Sequence, residues 1–422
     1  MPARCDPLGK NTAANAGCST VSNLKSVIQY KRQGLLMENL NLLADEWVEV
    51  RSKEEILATL DTNGQLASLP FMPEMLEFCG KKLKVFKRAH KTCDTVNDYK
   101  GRKLEASVHL DGVRCDGRAH GGCEAGCLIF WKEAWLRRLP SGNMVPSKPL
   151  VNGRTVPAKV SCTDRHLADS VIALGEKNSS NPTYVCQATR VPDATKPLPW
   201  WDLRQYMEDY TSGNERFPRM LYGFIYATYV NASNLGIGVG RPMRWFYDKL
   251  QRVIGGVPYP RYRGSIRKGE RTPDVLLDLQ PGEVVRVKSY KDILATLDTE
   301  NKNRGLYFDA EYVPYCGGTF RVLRRVTTIV NEKNGQLLKF KTPAVILEDV
   351  FCRSRYSHDR MFCPRSIYAY WREVWLERVA PEKIFPESGK PYSCPFLGSE
   401  HMVIAPCSPS DGSQDRHQKL VE

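Results

Sequence analysis

The chain has 422 residues and a formal net charge of +14, a length that predicts two or three domains and a charge that suits an anionic partner without choosing among nucleic acid, an acidic peptide and a membrane surface. No uninterrupted apolar run approaches the roughly 20 residues that a membrane span needs, and the first residues lack the apolar core of a secretion signal. The pattern therefore predicts a cytoplasmic chain with no membrane association, in which the fourteen cysteines serve as buried thiols or metal ligands rather than disulfides.

Residues 1–36 are rich in Ala, Ser, Asn, Gly and Lys with little periodicity, and predict a disordered arm. Met37 precedes an apolar run through Leu40, Leu42, Leu43 and Trp47, and is a second candidate for the start of the chain. Residues 37–140 read as a small β domain. Val48-Glu49-Val50-Arg51 alternates as a half-buried strand does. A long excursion follows over 57–80, then a basic strand Leu83-Lys84-Val85-Phe86-Lys87-Arg88 and further short strands up to Trp131 and Trp135, which read as core anchors.

The strongest chemical signal lies in this domain. Cys115, His120, Cys123 and Cys127 form a C-x4-H-x2-C-x3-C set among glycines. Short spacers and mixed Cys/His ligands suit a tetrahedral Zn2+ site, and four protein ligands would make it structural. His90, Cys93 and Cys79 are alternative ligands. The competing reading makes these cysteines small buried hydrophobes. A Cys123–His120 catalytic pair is a weaker reading still, because no oxyanion element accompanies it.

Residues 141–197 read as a Pro/Gly/Ser-rich linker followed by short strands, including one at Thr183–Gln187. Residues 198–280 predict a helical, aromatic-rich connector, with Asp202 as a helix cap and helical stretches near Met220–Val230 and Met243–Ile254. Trp200, Trp201, Arg204, Arg241, Arg244 and Trp245 are the candidate partner-binding residues, since arginine and aromatic side chains together hold peptides or stack on bases. The alternative is a connector that packs both flanking domains. Gly236-Ile237-Gly238-Val239-Gly240 lacks the context of a phosphate loop and reads as a turn.

Residues 281–380 repeat the first domain. The heptapeptide Ile56-Leu57-Ala58-Thr59-Leu60-Asp61-Thr62 recurs letter for letter at Ile293–Thr299, an offset of 237 positions. Cys79-Gly80 recurs as Cys316-Gly317, and Trp131/Trp135 as Trp371/Trp375 after a shift of a few residues. Asn334-Gly335 is a hairpin signal. Cys352, His358 and Cys363 form a weaker second metal set, spaced C-x5-H-x4-C, whose fourth ligand would be Cys316 or Cys394. Residues 381–422 read as an extension and disordered tail. Strand, long loop and a meander of short strands predict two repeated small SH3-like β-barrels. The predicted class is mainly β with a helical connector (α+β), and a small β domain of another topology is the alternative.

The Cys79-Gly80 pair, the segment His109-Leu110-Asp111-Gly112-Val113-Arg114-Cys115-Asp116-Gly117 and the block Ala194-Thr195-Lys196-Pro197-Leu198-Pro199-Trp200-Trp201-Asp202 resemble a little-characterised bacterial family of duplicated SH3-like proteins, similar to the peptide-binding proteins of the crocagin pathway. The resemblance implies a non-catalytic scaffold that presents a ribosomal precursor peptide to tailoring enzymes. Two other function classes remain open in the sequence. The charge and the candidate zinc set suit a nucleic-acid-binding protein. An enzyme of unknown reaction is the other, although Asp94, Asp98, His109 and Asp111 show no acid–base spacing.

Overall fold

Four residues of the heptapeptide do the same work in both of its places. Ile56 and Leu60, like Ile293 and Leu297, are buried in the core. Thr59 Oγ1 accepts from Trp135 Nε1 at 3.1 Å and Thr296 Oγ1 from Trp375 Nε1 at 2.9 Å. Asp61 Oδ1 accepts from the amides of Asn63 and Gln65, and Asp298 Oδ1 from those of Glu300 and Lys302. A buried indole N–H without an acceptor would be costly, so the threonine and the tryptophan are tied together, and so are the turn and its aspartate.

The protein is described here by a computed structural model, which places residues 39–139, 162–176, 179–235 and 238–379, with the side chain of His358 outside the described set. The predicted N-terminal arm, most of the linker, Gly236-Ile237, Cys394 and the C-terminal extension lie outside the described residues. The described residues from Leu42 onward form one compact unit. It is a mixed structure with more strands than helices.

The first half contains strands β1 (Trp47–Val50), β2 (Lys82–Arg88), β3 (Ser107–Arg114), β4 (Leu128–Lys132) and β5 (Leu136–Arg138). They form an antiparallel sheet in the order β4-β3-β2-β1-β5. The second half contains β6 (Val284–Val287), β7 (Thr319–Val330), β8 (Leu337–Phe351), β9 (Tyr368–Trp371) and β10 (Leu376–Arg378), in the order β9-β8-β7-β6-β10. Register matches as well. Val48 lies opposite Leu83 and Arg138, and Val285 opposite Phe320 and Arg378. In both halves the last two strands are joined by a 3-10 turn, Glu133–Trp135 and Glu373–Trp375.

The cores match in the same way. Phe71 meets Trp131 and Trp135 edge-on at 6.2 and 5.2 Å, and Phe308 meets Trp371 and Trp375 at 6.0 and 5.3 Å. Offset and edge-on rings exploit the aromatic quadrupole and add to simple burial. Glu133 accepts from the Leu42 amide and from Arg88, while Glu373 accepts from the Leu279 amide and pairs with Arg325. These two buried carboxylates fix the chain where it joins each sheet.

Between β2 and β3 the first half inserts a small sheet of Lys91–Cys93, Gly101–Lys103 and Lys196–Pro197. The second half instead extends β7 and β8 into a long hairpin, closed at Asn331–Gln336 with Gly335 at φ 73°. That turn confirms the Asn-Gly signal. The tip and edge of this hairpin contact the first half. Glu124 accepts from the Thr327 and Thr328 amides, and Tyr184 donates its amide to Gly335 O.

Three helices link the halves: α1 (Arg204–Thr211), α2 (Phe217–Ser233) and α3 (Gly240–Ile254). Asp202 accepts from the Arg204 amide at 3.1 Å, so the expected cap acts one residue outside the helix boundary. The expected strand at Thr183–Gln187 is corrected. Only Tyr184 makes a bridge, to Ile172, and Gln187 opens the helix Gln187–Ala194. The side chain of Gln187 bonds Phe130 N and O and Pro70 O, so its polar atoms are used in tertiary contacts rather than in a strand pair.

Candidate functional site

The site of interest in the first half is built from three segments. The 3-10 helix Pro73–Phe78, in the excursion after β1, carries Glu74. Cys115 follows directly on β3, and its amide donates to Cys127 O at 2.8 Å, closing the loop that contains His120. Gly117 makes that loop possible. Its φ is 72°, and a Cβ there would sit 1.9 Å from Cys123 O, so only glycine fits.

Glu74, Cys115 and His120 present ligand atoms that all lie within 4.8 Å of one another. His120 Nδ1 is 2.8 Å from Glu74 Oε1, and Nε2 is 3.2 Å from Val185 O. Both partners are acceptors. The Ala119 amide also donates to Glu74 Oε1, and Cys115 Sγ lies 3.9 Å from it. Burial pushes the Glu74 carboxyl up, but the hydrogen bond and charge of His120 outweigh this and hold it below its ordinary value. The other oxygen, Oε2, is buried with no hydrogen-bond partner among the described residues. Burial pushes the Cys115 thiol far up. These three groups could hold a metal ion, which would deprotonate the thiol and take up the free carboxylate oxygen.

The predicted set is thus partly assembled. Cys115 and His120 come together, and Glu74 joins them. Cys123 and Cys127 are not within that group. They line, with Cys115, His120 and Cys186, a small neighbouring cavity of about 40 Å³. Cys123 Sγ accepts from the Val330 amide at 3.2 Å. Burial pushes the thiols of Cys123 and Cys127 up, and that of Cys186 up to about 11.

In the second half the set Cys352, His358, Cys363 is not gathered among the described residues. Cys352 Sγ lies 3.4 Å from Ser354 Oγ. Cys363 is buried against Cys93 of the first half, and its thiol hydrogen-bonds the Cys93 sulfur. That bond, with Arg365 and Arg360 near by, holds the Cys93 thiol below its ordinary value. The side chain of His358 lies outside the described residues. Of the other ligands considered, His90 Nε2 contacts Gln205 O at 3.2 Å and Cys316 Sγ lies 3.9 Å from Tyr312 O.

No protein-family model, no curated protein and no solved structure matches the chain. The reading of the site therefore rests on its own geometry.

Glu74 and Cys186 were missed in the sequence. A signal for Glu74 was present: Phe71 and Glu74 recur as Phe308 and Glu311 at the same 237-residue offset as the heptapeptide, and both glutamates are buried. Cys186 had no such counterpart.

The predicted partner-binding residues lie on and beside the three helices. Trp200 and Trp201 meet edge-on at 5.9 Å, and Trp201 is 66% exposed. Trp245 is 63% exposed and Arg241 is exposed as well. Arg204 pairs with Asp202 at 2.7 Å. Arg244 sits over the Tyr259 ring at 5.4 Å. Tyr206, by contrast, is buried against Phe224 and Phe362. Helix α3 is inverted relative to an ordinary surface helix. Its buried positions are Tyr247 and Gln251, whereas Trp245, Phe246, Leu250, Val253 and Ile254 face out. Arg241, Lys249 and Arg252 accompany them, and Phe217, Leu221 and Ile225 of α2 add to the exposed apolar surface.

Proposed function

We propose that the protein is a non-catalytic, cytoplasmic scaffold that binds an acidic peptide with apolar anchors, as the resemblance to peptide-binding proteins of ribosomal-peptide pathways implies. The observation that carries this reading is the outward apolar face of α3, together with the exposed Trp200 and Trp201. Soluble monomers rarely leave so many large apolar side chains in water, and such surfaces mark interaction sites. Tryptophan and arginine are also the residues that most often dominate binding energy. The arginines and lysines between the aromatic residues select an acidic partner by charge complementarity. No helix among the described residues is long and apolar enough to cross a membrane.

On this reading each sheet is an SH3-like barrel and the two are copies of one ancestral domain. Support comes from the shared order β4-β3-β2-β1-β5 and β9-β8-β7-β6-β10, the long excursion after the first strand and the 3-10 turn before the last. Zinc would be held by Glu74, Cys115 and His120, with a fourth ligand drawn from the thiols lining the adjoining cavity. Its contribution would be structural, tying the β3–β4 loop to the excursion after β1.

The test is fluorescence anisotropy with a labelled peptide of alternating Glu and Leu/Phe, its Gln counterpart, and a single-stranded oligonucleotide, each across a salt series. The expected result is binding of the acidic peptide, weakened at least about tenfold by combining Trp201→Ala with Trp245→Ala. Equal binding of the Gln peptide would sink the reading. Tighter oligonucleotide binding with a steep loss in salt would replace it with a nucleic-acid function.

A further inference from the structure

The second half carries a cleft that shares only Arg244 with the candidate partner-binding residues and nothing with the metal site. It lies where α3, the segment 259–263 and the turn at 299–301 meet, and its volume is about 720 Å³. That is within the range of small-molecule sites, roughly 300–1,000 Å³. Arg244, Arg261 and Arg263 line it together with Tyr259, Tyr262 and Tyr307. One acidic side chain, Glu300, is also in the wall, but Lys268 and Lys302 hold it at 2.5 and 3.0 Å, so the cleft is net cationic.

The cationic groups are positioned before any ligand arrives. Arg261 Nε donates to Tyr356 O at 3.1 Å. Arg244 donates from one terminal nitrogen to Asn234 Oδ1 at 3.3 Å, while its Nε–H is buried with no acceptor among the described residues. A buried guanidinium donor without an acceptor is uncommon enough to need an explanation. Asp248 accepts from the Tyr259 amide at 2.7 Å and from Tyr262 Oη at 2.6 Å, which fixes the Tyr262 ring, while the Tyr259 ring is buried beneath Arg244. Tyr307 leaves its ring about half exposed at the rim, at 47%. Arginine forks match phosphate oxygens in pairs, and phenol rings offer flat apolar faces to a planar base.

We propose that this cleft binds a nucleotide, with the arginines on the phosphate groups and the rings of Tyr262 and Tyr307 against the base. The proposal does not depend on the peptide reading. Arg263 is exposed and lies outside the aromatic surface argued above, so loss of one activity leaves the other measurable.

Titration calorimetry on the full chain tests it, with adenosine and uridine 5′-diphosphates as probes and the two nucleosides and inorganic phosphate as controls. Arg263→Ser is the variant, and circular dichroism confirms its fold. The expected result is one site per chain for at least one diphosphate and a nucleoside at least about a hundredfold weaker. Affinity should also fall about tenfold in Arg263→Ser, as expected for losing one charge-assisted contact. No binding of either diphosphate at millimolar concentration would overturn the proposal. So would a nucleoside as tight as its diphosphate, a diphosphate no tighter than inorganic phosphate, or a folded Arg263→Ser protein that binds as well as the parent.

Discussion

In the first half Glu74 accepts from the Ala119 amide and from the His120 ring. At the matching place in the second half Glu311 accepts from the amides of Arg355 and Tyr356 at 2.9 and 2.6 Å. Tyr356 corresponds to Ala119 and Cys352 to Cys115 at the 237-residue offset, so the position of His120 is taken by Ser357. The histidine stands one place further on, at His358. The two carboxyls are shifted in opposite senses. Glu74 sits below its ordinary value, whereas burial, helped by Asp309, pushes Glu311 up to about 7. The two halves share a fold and a buried carboxylate. Glu74 has His120 beside it and groups with Cys115 and His120; among the described residues Glu311 has no such group, and the side chain of its neighbouring histidine, His358, lies outside them.

The comparison breaks most visibly at Asp209. Its Oδ2 accepts from Lys91 Nζ at 2.5 Å, and His90 Nε2 is 3.3 Å from Oδ1. All three side chains are buried. The second half has Thr328 where the first has Lys91, so this ion pair has no twin. Asp209→Ala strands a buried ammonium and should cost about 3–5 kcal/mol, read as a lower urea midpoint. A loss under 1 kcal/mol would mean that Lys91 finds another partner or is neutral in the parent.

Glu311 comes next. Its folded carboxyl holds a proton more tightly than the unfolded chain does, against an ordinary value of 4.5. Its contribution is therefore full below about pH 4.5 and is lost as the pH rises to about 7, by about 3 kcal/mol. Glu311→Gln keeps an acceptor for the two amides and should flatten that part of the stability profile. An unchanged profile would show that Glu311 is ionised throughout.

His109 titrates in the opposite sense. Its Nδ1–H donates to Ile129 O at 2.8 Å, and burial pushes its pKa down to about 3 from an ordinary 6.5. The stability it contributes is full above about pH 6.5 and declines as the pH falls, by ~2 kcal/mol at pH 5. The second half has Ile346 at this place. His109→Ile should therefore lose less stability than the parent between pH 7.5 and pH 5. A parallel decline would place the acid sensitivity elsewhere. The smallest effect tests likeness rather than difference. Thr59→Val and Thr296→Val each remove the acceptor of a buried indole and should cost about 1 kcal/mol apiece. Markedly unequal costs would show that the matched cores are not energetically matched.

Much of this was legible in the sequence because it depends on local pattern. Alternation in Val48–Arg51 and Leu83–Arg88 located strands, the Asn334-Gly335 turn located a hairpin, and the repeated heptapeptide located the second half. Pattern failed where tertiary contacts decide. Gln187 looked like strand because it follows Tyr184 and Val185, but its side chain is used by Phe130 and Pro70. Spacing grouped Cys123 and Cys127 with His120, yet the loop turns at Gly117 and aims the Cys123 sulfur at the Val330 amide of the other half. Glu74 joins the site from 41 residues before Cys115, a distance that no short motif spans. The second cysteine set was separated by the same means, since Cys363 is taken by Cys93 across the junction of the halves.

Zinc held by Glu74, Cys115 and His120 is proposed for the first half alone. The most direct test is elemental analysis of the full chain, saturated with Zn2+ and then desalted, beside His120→Ala, Cys115→Ser and Cys352→Ser. The account predicts one zinc per chain in the parent and in Cys352→Ser, and loss of zinc in His120→Ala and Cys115→Ser. No zinc retained by the parent, or the same zinc content in His120→Ala, would contradict it.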